Sequence, residues 1–390
     1  MKIFTSILGT APGERETGAS VVDLQFIHHV AAEGHRVTVV VPDGREAGLQ
    51  AGVQVQVLHT PRLVRGPWNH LVRLLRTAYR LVELYRDDYQ GVFRVNSFFS
   101  SLLEVAPLLL YSRGGARLFV QFHHKDHSRL RNAIARQVLR WAQVIVCPSE
   151  AARQDLLELL GYAAGNLKVV HHGVDNKFFV ARSTLLKCQA TSDQPLRLLF
   201  VGHLERRKNP SALLSLAQAL YADHVPFELA IVGKGPELEG LQEQCIDQPW
   251  AADVLFLGAV SDEEKLNQYA YADLFVFPSK QEGFGLVLCE AMAAGVPVLA
   301  FNTSAMPEIV QPGTGYLVEV DDMVAMAEIV RRLAGDRLQL DLLRGGAIQH
   351  ARTQFCWQQK VGEICGLLES AFQPAQSTLD GMDSLGRRGS

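Results

Sequence analysis

The sequence lacks a long apolar run. Among its 390 residues, no stretch approaches the roughly 18 apolar residues needed to cross a bilayer. The nearest, residues 102–111, is short and interrupted by Glu104 and Pro107. The opening MKIFTSILGTAPGE is too brief and too weakly charged for a signal peptide. It reads instead as a first buried strand entering a loop. Cysteine is scarce, with six residues and no Cys-x-x-Cys pair. That argues against a disulfide framework or a zinc site. Cys147 in VIVCP and Cys289 in LVLCE read as buried, reduced thiols, which points to a cytoplasmic protein. Strong net charge is also missing. At −3 overall, the chain is no general polyanion binder, and it lacks the interleaved aromatics of a nucleic-acid module. Gly233-Lys234-Gly235 is a lone G-x-G without the third glycine of a dinucleotide fingerprint.

What is present is apolar substance and pattern. Hydrophobic residues make up 48% and charged residues 20%, enough for a large core spread over two or three domains. The charge is asymmetric: residues 1–180 carry 21 basic against 15 acidic side chains, and residues 181–390 carry 17 against 26. A basic and an acidic half suggest two domains with different partners. Short β-branched runs alternate with helical patterns throughout. KIFTSIL, RVTVVVP, VQVQVLH, GVFRVN, RLFVQFH, QVIVCPS and KVVHHG lie in the first half; LRLLFVG, FELAIVG, VLFLGAV, LFVFPS, VPVLAF and GYLVEV lie in the second. Near-continuous apolar strands between helices predict parallel sheets covered on both faces. The fold class is therefore α/β, with two Rossmann-like domains, residues 1–180 and 181–352, facing a ligand cleft. Residues 180–194 read as a polar linker, 353–372 as a helix, and 373–390 as a fraying tail.

The most informative segment is SKQEGFGLVLCEAMAAGVP, residues 279–297. A strand ends at Pro278, Glu282-Gly283-Phe284-Gly285 make a tight loop, and residues 286–294 make a short helix with Gly295 at its end and Pro297 beyond. The helix start presents free backbone amides and the positive end of the dipole, which suit phosphate oxygens or sugar hydroxyls. Glu282 and Glu290 are separated by about 10 Å at 1.5 Å per residue, too far for the paired carboxylates of a retaining glycosidase. Glu290 sits among Val287, Leu288, Cys289, Ala291 and Met292. An acid in such company normally has a polar partner.

This segment resembles the E-x7-E region of the family 4 glycosyltransferases of GT-B fold. The resemblance runs in order over roughly residues 1–370. TGASVVDLQFIHHVAAEGHRVTVVVP is similar to the family's first glycine loop, helix and strand. VIVCPSEAARQDL, KVVHHGVDNKFF, LLFVGHLERRKNP, LAIVGKGPELEGL and VLFLGAVSDEEKLNQYAYADLFVFPS follow in the family's places.

The resemblance implies a role for each matching residue. Glu290 takes the ribose hydroxyls and Glu282 the donor sugar near the reacting centre. The amides of Phe284, Gly285, Leu286 and Val287 meet sugar and phosphate. Lys208 neutralises the leaving diphosphate. Gly18 lets its loop approach the phosphates, and His123, with His124 as fallback, faces the donor sugar. The resemblance further implies retention of configuration, the nucleotide sugar as co-substrate and neither metal nor other cofactor. A UDP-sugar is the expected donor, with GDP- and ADP-sugars as alternatives. The acceptor is a glycan, glycolipid or small molecule bound by the basic half, and the 353–372 helix crosses back to the first domain.

The chain departs from the family pattern at three places. His203 stands where the family has an arginine; it is counted with Arg207 among the donor-binding residues, and a neutral histidine weakens the diphosphate clamp unless Arg206 or Arg207 substitutes. His172 replaces an asparagine, and Ser304–Glu308 (SAMPE) replaces G-G-x-P-E. A non-catalytic sugar-nucleotide binder is the alternative reading. The adjacent histidines (28–29, 123–124, 171–172) are read as non-chelating, because neighbours on a strand point to opposite faces. Residues 62–86 hold Arg62, Arg65, Arg73, Arg76, Arg80 and Arg86 against Glu83, opposite an apolar stripe of Leu71, Leu74, Leu75, Ala78 and Val82. Two readings stand: a wet arginine face on an ordinary packed helix, or a peripheral contact with anionic lipid at the inner face of the membrane. Arg129, Arg131, Arg136 and Arg140 extend that surface.

Overall fold

The computed structural model describes residues 1–6, 18–42, 55–60, 68–95, 98–122, 129–161, 165–179 and 194–372. The apolar runs collapse into two sheets. The first contains β1 (Lys2–Ser6), β2 (Arg36–Pro42), β3 (Val55–Thr60), β4 (Val92–Val95), β5 (Arg117–Gln121), β6 (Val144–Cys147) and β7 (Leu167–Val169), in the order β3-β2-β1-β4-β5-β6-β7. The second contains β8 (Leu196–Val201), β9 (Phe227–Val232), β10 (Val254–Gly258), β11 (Leu274–Phe277), β12 (Val298–Phe301) and β13 (Gly315–Val318), in the order β10-β9-β8-β11-β12-β13. The pairings are parallel, as where Ile3 of β1 lies opposite both Val37 and Val92. Each sheet starts in its middle, winds outward one way and then the other. The reversal falls between β1 and β4 in one sheet and between β8 and β11 in the other. Ligand crevices open at the carboxyl ends of such strands. β4, β6, β11 and β12 are buried along their whole length, as helices on both faces require.

Helices α1 (Gly18–Ala32), α2 (Trp68–Asp87), α3 (Phe98–Tyr111), α4 (Arg129–Leu139) and α5 (Glu150–Leu160) belong to the first sheet. The second is flanked by α6 (Ser211–Ala222), α7 (Leu238–Cys245), α8 (Asp262–Tyr271), α9 (Leu286–Ala293), α10 (Met306–Ile309), α11 (Met323–Gly335) and α12 (Arg337–Gln354). The last helix, α13 (Trp357–Phe372), packs on α1 and β6 of the first domain. There Val361, Ile364 and Leu368 join Phe26, Ile27 and Phe119 in one core. This helix begins at Trp357 rather than at 353. The Phe355 carbonyl leaves the helical pattern to accept from the Val174 amide at 2.8 Å, and Cys356 makes an isolated parallel bridge to Val174.

Inside the first domain lies a buried arginine. Arg94 on β4 donates to Gln121 at 2.6 Å, to Asp23 of α1 at 2.6 Å and to Thr5 at 3.4 Å. Its guanidinium lies 4.3 Å from the centre of the Phe26 ring. These groups sit toward the carboxyl ends of β1, β4 and β5, beneath the cleft.

Two expectations change. Leu75 does not belong to a buried stripe: it is 52% exposed, while Thr77, Ala78 and Leu81 carry the packing. At 3.6 residues per turn it lies about a third of a turn from that face. His171 and His172 stand in the loop after β7, and both rings lie against Phe284, at 5.6 and 5.1 Å, rather than on opposite sides of a strand. The glycine loop before Gly18, His123, His124, Arg62, Arg65, residues 180–193 and the tail 373–390 lie outside the described residues, and Gly18 is seen only as the first residue of α1.

Candidate active site

The site forms where two loops of the second domain are stitched together. One follows β8 and ends in a 3-10 turn, Arg206–Lys208; the other joins β11 to α9. The Lys280 amide donates to the Arg207 carbonyl at 2.9 Å, and Arg207 Nη1 donates to the Gln281 carbonyl at 3.1 Å. The buried Ser279 hydroxyl lies within reach of the Arg207 and Gln281 carbonyls and Glu282 Oε1, at 3.3, 3.2 and 3.1 Å. This stitching brings Lys208 Nζ into a direct ion-paired hydrogen bond with Glu282 Oε1. The two residues are 8% and 9% exposed. The ammonium also sits 5.0 Å from the Phe277 ring centre. Burial pushes the Lys208 pKa down even though Glu282 opposes the shift.

Of the family clamp, the structure brings Arg207 to the pair, with Nη1 3.8 Å from Glu282 and Nε 2.7 Å from Glu205. His203 is exposed on the loop head, and its ring makes no hydrogen bond among the described residues. The G-x-G at 233–235 serves packing. A Cβ on Gly235 would stand 2.1 Å from the Leu204 carbonyl oxygen, so this turn and the lysine-bearing loop pass backbone against backbone.

Gly285 has φ +88° and supplies no side-chain cap to α9. A left-handed residue is needed there to swing the chain from loop to helix, and glycine adopts it without strain. Among the described residues, the amides of Leu286 and Val287 head the helix with no side-chain acceptor, an arrangement suited to an anion. Glu290 lies one turn further and is 4% exposed. Its expected polar partners are Tyr269, whose hydroxyl donates at 3.0 Å, and Lys265, whose Nζ lies at 3.4 Å, both from α8. Burial raises the Glu290 pKa against the pull of Lys265 and Tyr269. The Tyr269 ring is fully buried, edge-on to Phe178 at 5.7 Å. Glu290 and Lys265 line a cavity between the domains with Gln25 and His28 of α1 and Asp175 and Lys177 of the segment after β7. Among the described residues, no group of three or more His, Cys, Asp or Glu could hold a metal ion, and no helix is long and apolar enough to cross a membrane.

Nothing in the local sequence marks Tyr269, Lys265 or Glu308 as part of the site, while Ser149 is visible only as the Ser-Glu start of α5. The apolar surroundings of Glu290 announced that a partner exists, but not which one. Glu308 was visible in SAMPE, but that segment drew notice for its missing glycines.

Residues 17–178 match the model described as Glycosyltransferase Family 4, and residues 183–349 match Glycosyl transferases group 1. The chain belongs to the family 4 glycosyltransferases of GT-B fold. A D-inositol 3-phosphate glycosyltransferase of Catenulispora acidiphila is 32% identical over 60% of this chain and 59% of its own length, so the match spans about three fifths of that relative. A GDP-mannose-dependent alpha-(1-6)-phosphatidylinositol monomannoside mannosyltransferase of Mycobacterium tuberculosis is 29% identical over 67% of this chain and 73% of its own. The crystal structure of Anabaena HepE in complex with UDP and glucose superposes with a TM-score of 0.76 over 95% of this chain and 100% of that one, at 21% identity. At that identity the likeness establishes the shared fold.

Proposed function

We propose that this chain transfers a sugar from a nucleotide-sugar donor to a hydroxyl acceptor, retaining the anomeric configuration and using no metal. The carrying observation is the buried Lys208–Glu282 pair beside a helix start without a side-chain cap, with the buried Glu290 one turn further on. In this reading Glu290 holds the ribose. Glu282 orients the donor sugar. Lys208, Arg207 and the amides of Leu286 and Val287 receive the diphosphate, where charge builds as the glycosidic bond breaks. The family resemblance assigns His123, outside the described residues, to the donor sugar, and the acceptor to the first-domain side of the cleft. Two relatives and neighbours name GDP-mannose and UDP, so donor choice is a question for experiment.

A thermal-shift panel of UDP, GDP, ADP, NAD and their sugar conjugates tests the proposal. A ligand at about 100-fold over its Kd adds roughly 2.7 kcal/mol, which raises Tm by about 5–10 °C. One nucleoside diphosphate is expected to give that shift, to keep it in EDTA and to lose it in Glu290→Ala. A shift with NAD alone, or none with any diphosphate, overturns the reading. Release of free nucleotide in the presence of acceptor then separates an enzyme from a sugar-nucleotide binder on the same fold, the reading that the exposed His203 favours.

The acceptor side includes a proposed contact with anionic membrane. Arg80 and Arg86 on α2 are exposed beside Leu75 and Tyr79, 52% and 64% exposed, the mixture of cation, aromatic and aliphatic groups that seats at a lipid headgroup layer. Sedimentation with phosphatidylglycerol vesicles is expected to carry the protein down. Neutral phosphatidylcholine vesicles, or an Arg76→Gln, Arg80→Gln, Arg86→Gln triple variant, should not. Equal binding in all three cases removes the contact.

A further inference from the structure

We propose that Glu308 is a positioning residue for the donor loop: from the second domain it caps helix α5 of the first, and so holds the Gly283–Phe284 turn against that domain. The proposal rests on the reading of residues 282–290 as the donor site.

The geometry is specific. Helix α5 presents its first-turn amides at the domain boundary. Ser149, its own N-cap, accepts from the Ala152 amide at 2.9 Å. The amides of Glu150 and Ala151 donate to Glu308 Oε2 and Oε1, at 2.6 and 2.8 Å. The helix is therefore capped jointly by a residue of its own chain segment and by a carboxylate more than 150 positions away, which also meets the positive end of the dipole. Ser149 closes the circuit: its hydroxyl donates to the Gly283 carbonyl at 2.6 Å, inside the loop that carries Glu282. His171 Nε2 lies 3.7 Å from Glu308, and the His171 ring packs on Phe284 and Phe355, at 5.6 and 5.9 Å. Met306 and Ile309 on either side of Glu308 are fully buried, so the carboxylate projects from a fixed support. Burial alone would raise its pKa, but His171 and the two amides outweigh burial and hold the carboxyl below its ordinary range. It is ionised at neutral pH. Opening the cleft at this edge breaks three short hydrogen bonds together and frees the donor loop on its first-domain side.

Apart from Gly18, the contacts assigned to nucleotide lie within the second domain, whereas transfer needs both domains in register. Loss of the clamp should therefore affect turnover more than nucleotide affinity. Hydrogen exchange of the full chain, with no ligand required, is the primary test. Glu308→Ala is expected to speed exchange about tenfold at amides 150–152, through the loss of charge-assisted hydrogen bonds, and at the Leu288 amide, which donates to the Gly285 carbonyl at 2.9 Å, while β8 and β11 stay protected. kcat should fall about tenfold, with the nucleoside diphosphate Kd unchanged within twofold, and Glu308→Asp should restore part of kcat. Glu308→Gln, equal in size, serves if the alanine variant folds poorly. Unchanged exchange at 150–152 and at Leu288 in a folded variant overturns the proposal. So does a general loss of protection matched by equal losses in kcat and affinity, which marks a merely structural role. Exchange reports the clamp even where no transfer activity is found, so failure of the clamp and failure of the donor-site reading are told apart.

Discussion

Lys208→Ala is expected to lower kcat by about 10²–10³-fold, the loss typical when one preorganised group facing developing negative charge is removed. The leaving diphosphate gains charge as the sugar departs. An ammonium that is 8% exposed acts on that charge across a medium poorer in water than bulk, where its effect is large. Burial pushes the Lys208 pKa down, and the neighbouring Glu282 carboxylate opposes that shift. Arginine should not rescue: the site is walled by the Phe277 ring, 5.0 Å from Nζ, and sized for a compact head group. Lys280→Ala is the control, because that exposed lysine pairs outward with Asp321 at 2.6 Å. It should keep activity within about twofold, in line with the small worth of a surface ion pair. The alanine variant at 208 also leaves Glu282 buried with Ser279 and a more distant Arg207. Breaking a buried pair on one side costs about 3–5 kcal/mol. Lys208→Ala with Glu282→Gln should recover stability in urea and recover no activity. Recovery of both would show that the pair is structural only.

Arg94→Leu is expected to destabilise the first domain by about 3–5 kcal/mol, a large part of the 5–15 kcal/mol that holds an ordinary domain folded. The arginine side chain is fully buried and its partner Asp23 is 10% exposed. The substitution removes the Arg94 hydrogen bonds from buried Asp23 and Gln121 at once. It also loosens α1 from β4, the helix that opens at Gly18 and lines the cleft with Gln25. Equilibrium denaturation followed by a first-domain probe such as Trp357 fluorescence checks the size. Arg94→Leu with Asp23→Leu should recover most of the loss, because removing both partners leaves no buried charge. Arg80→Ala, a 46% exposed member of an i,i+3 pair, should change stability by no more than about 0.5 kcal/mol. An equal loss from the surface arginine would mean that Arg94 holds no special place.

Much of the fold was legible from the chain. The thirteen strand runs read from apolar continuity all stand as parallel strands, because burial on both faces writes itself into every position of a strand. The short helix after Gly285 was legible from a glycine start, good helix formers and a Gly-x-Pro stop. Lys208 and Glu282, 74 positions apart, could be matched to motifs, but nothing local said that they pair. Leu75 misled because a helix buries a stripe only as wide as its neighbours allow, and periodicity alone does not mark the edge. The same limit hid Arg94, a charged residue in a strand whose partners lie on β1, α1 and β5.

The sequence by itself determined the two Rossmann-like halves, the family, and the chemical kinds at the site: a lysine, two glutamates and a glycine-led helix start. These follow from periodicity and short-range spacing, which the chain carries locally. Only the tertiary structure decided which distant groups complete them: Tyr269 and Lys265 on Glu290, Ser279 on Glu282, Ser149 on Gly283, and Glu308 on a helix of the other domain. Hydrogen-bond partners of buried polar groups are set by how separate elements come to rest against one another, and that packing has no local signature in the chain.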